Sequence, residues 1–247
     1  MDPLRDLRIA AVPYLNAAPL IHCMPFIEKA VPSKLVQWLD NGDCDLATLP
    51  LGAVLERPDW RVLPSLGIAA DGPVRTVLLL HRDPIEGIRK FQPDPASRSS
   101  NLLCRMVLKQ ASGVDPEIGT APGARVVIGD AAFKHDPSFE GTDLAAAWKN
   151  QTGLPMVFAG WVASGKLAKD KIRLQEVDAA LVEILRKGMN RMTEIVRMQN
   201  VVTTKIASDY LRANIHFRLD DRYRSGADLY ASKAAELGVG AGSIPWA

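Results

Sequence analysis

The chain has 247 residues, of which 47% are hydrophobic and 23% are charged, as in an ordinary globular protein. This length is enough for one large domain or for two compact lobes, each with its own core. The formal net charge of +2 does not favour a nucleic-acid-binding protein, because no dense stripe of lysine and arginine interleaved with aromatic residues accompanies it. A small basic excess is equally compatible with an anionic small-molecule ligand.

The beginning of the chain and its cysteines favour a cytoplasmic protein. Acidic Asp2 stands where a secretory signal would be basic, and Pro13 interrupts the apolar stretch that follows, so we expect no signal peptide. No run of about 18 apolar residues is present, so we expect no membrane span. The three cysteines are odd in number and widely spaced, which favours reduced thiols over disulfides or a zinc site. They are Cys23, Cys44 and Cys104.

Short apolar runs alternate with helical patterns over the first two thirds of the chain, which is typical of a parallel or mixed sheet covered by helices. Proline, glycine or polar residues bound these runs and end the predicted elements. The predicted elements are, in chain order, a strand at 8–12, a helix at 33–41, a strand at 44–49, two short strands at 61–63 and 66–70, a strand at 74–81, a helix at 99–111, a strand at 124–128, a helix at 143–150 and a strand at 154–162.

From Val177 onward the pattern changes to helices only. One apolar face runs through Leu181, Leu185 and Ile195 at helical spacing, and a last helix is predicted through residues 223–237. Strands early and in the middle of the chain, with helices at its end, predict an α/β protein of two lobes in which the last helices return to the first lobe.

Several common functional motifs are missing from the sequence. No GxGxxG follows a strand and no GxxxxGK[ST] is present, so neither a dinucleotide site nor a P-loop is indicated. The histidines lack metal-ligand spacing, and no GxSxG elbow accompanies them, so we expect neither a metal site nor a serine-hydrolase triad. These histidines are His22, His81, His135 and His216.

The first segment that could carry chemistry is PYLNAAPL at residues 13–20, directly after the first predicted strand. Ligands of open α/β sheets collect beyond the carboxyl ends of strands, where helix N-termini and free backbone amides point. Asn16 offers one acceptor oxygen and two donors on a short side chain, which suits it to orienting a hydroxyl or a carboxylate. Capping of the following helix by Asn16 is the alternative, and the local residues alone favour it.

The second segment is SRSSN at residues 97–101, which opens an amphipathic helix. Hydroxyls and free N–H groups at the start of a helix form an anion site. Capping is again the alternative, but a cap needs one hydroxyl, and Ser97, Ser99 and Ser100 provide three. This excess of hydroxyls favours a ligand.

These two segments, together with IGDAA at 128–132 and DLAAAWKNQTGLPMVFAGW at 143–161, resemble the chorismate dehydratases of the futalosine route to menaquinone. The stretches VPSKLVQWL at 31–39 and DGPV at 71–74 match the same family. The resemblance extends from the first strand to about Trp161, and more loosely through the C-terminal helices. It depends on the order and spacing of the segments together.

The resemblance implies an α/β fold of the type II periplasmic-binding-protein kind, with a ligand cleft between two lobes. The implied first lobe comprises residues 1–78 and 163–247 and the second lobe residues 79–162, joined by crossing strands near 76–81 and 160–164. The implied activity is that of a hydro-lyase, which removes water from chorismate to give 3-[(1-carboxyvinyl)oxy]benzoate. The expected partner is therefore a small-molecule carboxylate, bound by a monomer or homodimer without a cofactor, a nucleic acid or a membrane.

The resemblance also assigns residues to the cleft. Asn16 and Thr76 are implied to be the catalytic residues, and we expect them to orient the substrate, because a neutral amide is a poor base. A substrate carboxylate or a water would then move the proton. The implied substrate-binding residues are Tyr14, Ser97, Arg98, Ser99, Ser100, Asp130 and Trp161.

Two features depart from the family pattern. Thr76 stands where the crossing strand of the family usually carries a serine, so the hydroxyl is kept and a methyl group is added. Residues 113–123 form a short stretch, without the helix expected before the strand at 124–128.

Three other interpretations are compatible with the fold. A solute-binding receptor of a transporter would share the fold and the ligand-facing serines, but would normally carry a signal peptide or lipid anchor. An effector-binding regulatory domain would follow a helix-turn-helix segment, and none precedes the first strand. A related enzyme that cleaves a later futalosine-type intermediate is disfavoured by the segment around Asn16 and by the serine cluster.

Overall fold

The computed structural model describes residues 2–24, 26–134 and 138–247. His135, one of the four histidines considered above, lies outside the described residues. The described strands are, in chain order, β1 (Ile9–Ala11), β2 (Glu28–Lys29), β3 (Leu46–Pro50), β4 (Arg61–Ala70), β5 (Val77–His81), β6 (Lys90–Phe91), β7 (Glu117–Ile118), β8 (Ala124–Ile128), β9 (Glu140–Asp143), β10 (Met156–Ala163) and β11 (His216–Arg218).

The described α-helices are α1 (Ala18–Ile21), α2 (Pro32–Asn41), α3 (Leu51–Val54), α4 (Arg98–Ser112), α5 (Leu144–Thr152), α6 (Lys171–Asn190), α7 (Met192–Met198), α8 (Thr204–Asp209) and α9 (Asp221–Glu236). Short 3-10 turns at Leu15–Ala17 and Gly129–Lys134 follow β1 and β8, and a π-helical turn at Tyr210–Asn214 follows α8.

Six strands form the first sheet, in the order β11–β4–β10–β3–β1–β2. β1 is parallel to β2 and β3, whereas β10 runs antiparallel to its neighbours β3 and β4. All residues of β1 are buried, as are all but one of β10, which is the near-continuous apolar pattern of strands covered on both faces. Helices α6 and α9 pack against β4 and β10.

Three strands form a second sheet, in the order β8–β5–β9, with both outer strands antiparallel to β5. Both faces of β5 are covered: Val77 and Leu79 join the main core, while Leu78 and Leu80 form a small cluster with Phe139. Helix α4 packs against β8 and α5 against β5. A short parallel pair of β6 and β7 completes this part of the molecule.

The chain passes between the two sheets twice, through residues 71–76 from β4 to β5 and through residues 153–155 from α5 to β10. The last residue of β4, Ala70, pairs with the first residue of β10, Met156. Both connections therefore lie side by side at one end of the first sheet, which gives the two lobes a common hinge.

The expected crossings at 76–81 and 160–164 lie further along the chain than these connections. Residues Val77–His81 belong entirely to the second sheet and Met156–Ala163 entirely to the first. The boundaries at 78 and 162 thus fall inside two strands, and the division into lobes of 1–78 with 163–247 and of 79–162 stays a prediction.

Most predicted elements are present with ends within three residues of those expected, and two differences have a physical reason. The two strands at 61–63 and 66–70 are one strand, β4, in which Pro64 sits at a shift of register against β10 and so needs no ladder N–H. The prediction of helices only after Val177 was wrong, because β11 adds an antiparallel edge to β4.

None of the helices in the described ranges is long and apolar enough to cross a membrane. The three cysteines are free thiols, and burial raises the pKa of Cys44 to about 12. Within the same ranges, no three His, Cys, Asp or Glu side chains are grouped as ligands for a metal ion.

Candidate active site

A cavity of about 70 Å³ lies between the two lobes, next to the hinge. Its apolar lining includes Ile68 and Phe158, and none of the described residues that line it is charged. This volume holds only about two water molecules at roughly 30 Å³ each, whereas ligand pockets usually measure about 300 Å³ or more. As it stands, the cavity is therefore smaller than a usual pocket for an organic ligand. The polar lining residues are Tyr14, Asn16, Thr48, Thr76, Ser97, Ser99 and Ser100.

Asn16 lies in the 3-10 turn after β1, so the carboxyl end of that strand places its side chain at the cavity. The residue before α1 is Ala17, and no side chain caps that helix, so the capping alternative for Asn16 does not hold. The Oδ1 atom of Asn16 is buried and has no hydrogen-bond partner among the described residues. A buried acceptor without a partner costs about 1–3 kcal/mol, which a ligand donor would recover.

Thr76 lies at the end of the first connection, one residue before β5, and is buried. Its Oγ1 is 2.7 Å from the hydroxyl of Tyr210, which reaches the site from the π-helical turn after α8. Burial raises the pKa of Tyr210 well above its usual range, while hydrogen bonds with Thr76 and Asn16 oppose the shift. The phenol therefore keeps its proton at neutral pH.

The three serines at the start of α4 have different partners. Ser97 is the N-cap, since its Oγ accepts from the Ser100 N–H at 3.1 Å, and the same hydroxyl donates to the Ser100 Oγ at 2.8 Å. The Ser99 Oγ accepts from the backbone N–H of Gly52 at 2.8 Å, which links α4 to α3 of the first lobe. Capping thus accounts for Ser97, and all three serines line the cavity.

Tyr14 lines the cavity, and its pKa is raised by burial and by the nearby carboxylates of Asp94 and Asp130. Asp130 is half-buried in the turn after β8 and lies near the backbone of Leu15, which favours its ionised form. Burial raises the pKa of Asp130 above its ordinary value. Asp130 thus connects the second lobe to the turn that holds Asn16.

Arg98, Asp130 and Trp161 are not among the residues that line the cavity. The Arg98 guanidinium forms an exposed ion pair of 2.9 Å with Glu56. Trp161 is fully buried in β10, where it is paired with Thr48 of β3. Substrate binding by these three side chains stays a prediction, and the structure brings together the other six residues assigned from the sequence.

Two polar residues of the site were missed. Thr48 lies in β3, lines the cavity, and accepts a hydrogen bond from the Val12 N–H at 3.1 Å. A threonine inside the buried run LATLP is a signal that could have identified it. Tyr210 has no such signal, because its surroundings are those of an ordinary core tyrosine.

A family model described as menaquinone biosynthesis matches residues 7–236 of this chain. The protein belongs to the menaquinone biosynthesis family. The match covers both lobes, from before β1 to the end of α9, so the resemblance to this family is confirmed over almost the entire chain.

Two curated relatives of this menaquinone biosynthesis family member are chorismate dehydratases. The one from Thermus thermophilus is 25% identical over 252 residues, which cover 88% of this chain and 91% of the relative. The one from Campylobacter jejuni is 34% identical over 160 residues, which cover 64% of this chain and 62% of the relative.

The fold comparison agrees with the expected fold class. A Candida albicans protein, described as having the generic periplasmic binding protein fold, superposes with a TM-score of 0.62. Its sequence is 12% identical, and the match covers 93% of this chain and 90% of that protein. The expected periplasmic-binding-protein-like α/β fold is therefore confirmed.

Proposed function

We propose that this protein is a chorismate dehydratase, a hydro-lyase that removes water from chorismate to give 3-[(1-carboxyvinyl)oxy]benzoate in menaquinone biosynthesis. One observation carries the proposal beyond family membership: Asn16 of the first lobe, the serines of the second and Thr76 line the same cavity. An amide and a row of hydroxyls that face each other across a mostly apolar gap suit a polar organic acid.

The substrate carboxylates would be bound mainly by the start of α4. This helix has 15 residues, and its N-terminus carries partial positive charge and free N–H groups that attract anions. Ser97, Ser99 and Ser100 add hydroxyls at the same place. Since the cavity lining that the structure describes is uncharged, we attribute carboxylate recognition to these dipoles and hydroxyls.

The reaction breaks a C–H bond at the ring carbon that bears the enolpyruvyl ether and a C–O bond at the neighbouring carbon. The electron pair of the C–H bond enters the ring, which becomes aromatic, and the departing hydroxide and the proton leave as water. No electron is gained or lost, so no redox cofactor is required. Aromatisation provides the driving force, and the protein contributes mainly by positioning and by excluding water.

Asn16 and Thr76 would hold the hydroxyl that leaves. The partnerless Oδ1 of Asn16 can accept from that hydroxyl, and the Thr76 hydroxyl can donate to its oxygen as the C–O bond breaks. A neutral amide binds protons only in strong acid, so we assign the proton transfer to a substrate carboxylate or to a water. In this mechanism both residues orient groups and neither is the base.

The test is to incubate the purified protein with chorismate and to follow the aromatic product by ultraviolet absorbance and mass spectrometry. We expect turnover by the wild type, and a loss of about 10²- to 10³-fold in kcat for Asn16→Ala, as for removal of one positioned polar group. The thermal midpoint of this variant should stay close to that of the wild type. Binding of chorismate without product would instead make the protein a non-catalytic solute-binding protein.

We further propose that the enzyme acts in the cytoplasm as a monomer or homodimer. Cell fractionation and size-exclusion chromatography of the full chain test these two points separately from the activity.

A further inference from the structure

Tyr210 connects the two residues that are proposed to orient the substrate. Its side chain is 1% exposed and lies in the π-helical turn Tyr210–Asn214. Its oxygen is 2.7 Å from Oγ1 of Thr76, and the nearby side chain of Asn16 acts to lower its pKa. One phenol thus bonds to Thr76 at the hinge and lies close to Asn16 of the turn after β1.

The directions of these bonds follow from the available donors. The Asn16 amide can donate only through Nδ2, so we assign the Nδ2 side of the amide to the oxygen of Tyr210 and leave Oδ1 for the ligand. The phenol keeps its proton, which it can donate to Oγ1 of Thr76. Two groups then remain for a ligand: the hydroxyl proton of Thr76 and the partnerless Oδ1 of Asn16.

We infer that Tyr210 is a positioning residue that fixes Thr76 as a donor and Asn16 as an acceptor toward one substrate hydroxyl. This inference rests on the proposed function and deepens it. A hydroxyl fits the pair because it donates one hydrogen bond and accepts another. In the proposed elimination it is the leaving group, and a fixed donor from Thr76 stabilises the charge that develops on its oxygen.

The ring of Tyr210 is held from the second lobe. Phe133, in the turn after β8, packs edge-on against it with ring centroids 5.1 Å apart. The hydroxyl end is hydrogen-bonded to Thr76, so the ring cannot withdraw without losing this bond. Tyr210 thus contacts Phe133 of the second lobe and Thr76 at the hinge at the same time, and we call the arrangement of Tyr210, Thr76 and Asn16 the relay.

Tyr210→Phe removes only the hydroxyl, and kinetics with chorismate are its first test. We expect kcat to fall by about 10- to 100-fold, as for a misplaced catalytic group, while KM stays nearly unchanged. Tyr223→Phe is the control, since Tyr223 is also buried but packs beside His216, away from the cavity. Equal losses in both variants, or wild-type kcat in Tyr210→Phe, would overturn the inference.

A double-mutant cycle with Thr76→Val tests the connection itself. If Tyr210 acts through Thr76, the double variant should be no slower than the slower single variant. Multiplicative losses in kcat would mean that Tyr210 acts independently of Thr76, and would contradict the relay.

A second measurement separates this inference from the proposed function. The side-chain amide signals of Asn16 in a ¹H–¹⁵N spectrum can be assigned by their absence from Asn16→Ala. Tyr210→Phe should shift these signals, and Tyr223→Phe should not. If they shift and the wild type makes no product, the proposed function fails while the relay stands. If they do not shift, the relay is wrong whatever the activity.

Discussion

The Oγ atom of Ser99 accepts a hydrogen bond of 2.8 Å from the backbone N–H of Gly52. Ser99 lies in the first turn of α4 in the second lobe, and Gly52 lies in α3 of the first lobe. A Cβ at position 52 would stand 2.9 Å from the backbone nitrogen of Ser99 and 3.0 Å from its Cα. The proposed carboxylate site is therefore tied to the first lobe at a distance that only a glycine permits.

Gly52→Ala should force α4 away from α3. The clash is with backbone atoms, so it cannot be relieved by a side-chain rotation, and we expect a loss of about 1–3 kcal/mol in the free energy of unfolding. Because the serine hydroxyls move with α4, KM for chorismate should rise more than kcat falls. Urea denaturation and steady-state kinetics measure the two effects.

Gly87→Ala is the matched control for this substitution. A Cβ at Gly87 would meet no atom within 4 Å, so this variant should change the free energy of unfolding by less than about 0.5 kcal/mol. Equal stability and equal KM for the two variants would show that the close approach of α3 and α4 has no effect on the site.

Thr76 allows the role of its hydroxyl to be separated from that of its methyl group. Thr76→Ser keeps a hydroxyl that can bond to Tyr210, so turnover of chorismate should remain similar. Thr76→Val keeps the shape and removes the hydroxyl, which should lower kcat by about 10²- to 10³-fold. It also leaves the buried Tyr210 hydroxyl without this partner, at a cost of about 1–3 kcal/mol.

Kinetics of the two Thr76 variants at saturating chorismate, together with thermal melts, check this prediction. A Thr76→Val enzyme with wild-type kcat would show that the hydroxyl has no part in catalysis. A Thr76→Ser enzyme as slow as Thr76→Val would instead assign the role to the methyl group.

The sequence predicted the parts of the site that stand at the ends of local elements. Asn16 follows an apolar strand, and Ser97 precedes an amphipathic helix, so local patterns marked both positions. Tyr210 could not be predicted in this way, because its contact with Thr76 spans 134 residues. Nothing along the chain distinguishes it from Tyr230, which is also buried but donates its hydroxyl proton to the backbone oxygen of Ser99.

Local sequence patterns also could not predict where the hinge lies or that the side chain of Trp161 lies in the core. Strand content at 154–162 was predicted, but the sheet to which a strand belongs is decided by long-range pairing. Because β10 pairs with β3 and β4, the connection between the lobes precedes it. The same register leaves Phe158 and Ala159 at the cavity and Trp161 in the core.

Asp130 should make the stability of the fold fall with rising pH. Burial raises the pKa of Asp130 above the unfolded value of 3.8, so the folded state holds its proton more tightly than the unfolded chain does. The stabilisation is present below pH 3.8 and is lost as the pH rises through the folded pKa. Asp130→Asn keeps an acceptor for the Leu15 N–H, so at pH 7 it should be at least as stable as the wild type.

Urea denaturation of Asp130→Asn and the wild type at pH 4 and pH 7 tests this sign. The advantage of the variant should shrink at pH 4, where the wild-type carboxyl is partly protonated. A variant that is less stable than the wild type at pH 7 would mean that the ionised carboxylate stabilises the contact with Leu15.

Asp71 should have the opposite pH dependence. Asp71 is the first residue of the connection from β4 to β5. Its carboxylate is 2.6 Å from the guanidinium of Arg222 in α9 and also contacts Lys149 of α5. Mainly through the Arg222 hydrogen bonds, these cations lower the pKa of Asp71 from 3.8 to about 2. The stabilisation is therefore present above pH 3.8 and is lost as the pH falls toward 2.

Asp71→Asn should lower the free energy of unfolding at pH 7 by about 1 kcal/mol, a modest loss because solvent screens this partly exposed group. Urea denaturation from pH 7 to pH 3 should show the difference from the wild type shrinking below pH 4. Glu183→Gln is the control, because Glu183 forms only an exposed pair with Arg186 on one helix, and its loss should leave stability close to wild type throughout. Asp71 joins α5 to α9 at the hinge. If the difference in free energy of unfolding between the variant and the wild type persisted unchanged to pH 3, the contribution of Asp71 would come from its packing and not from its charge.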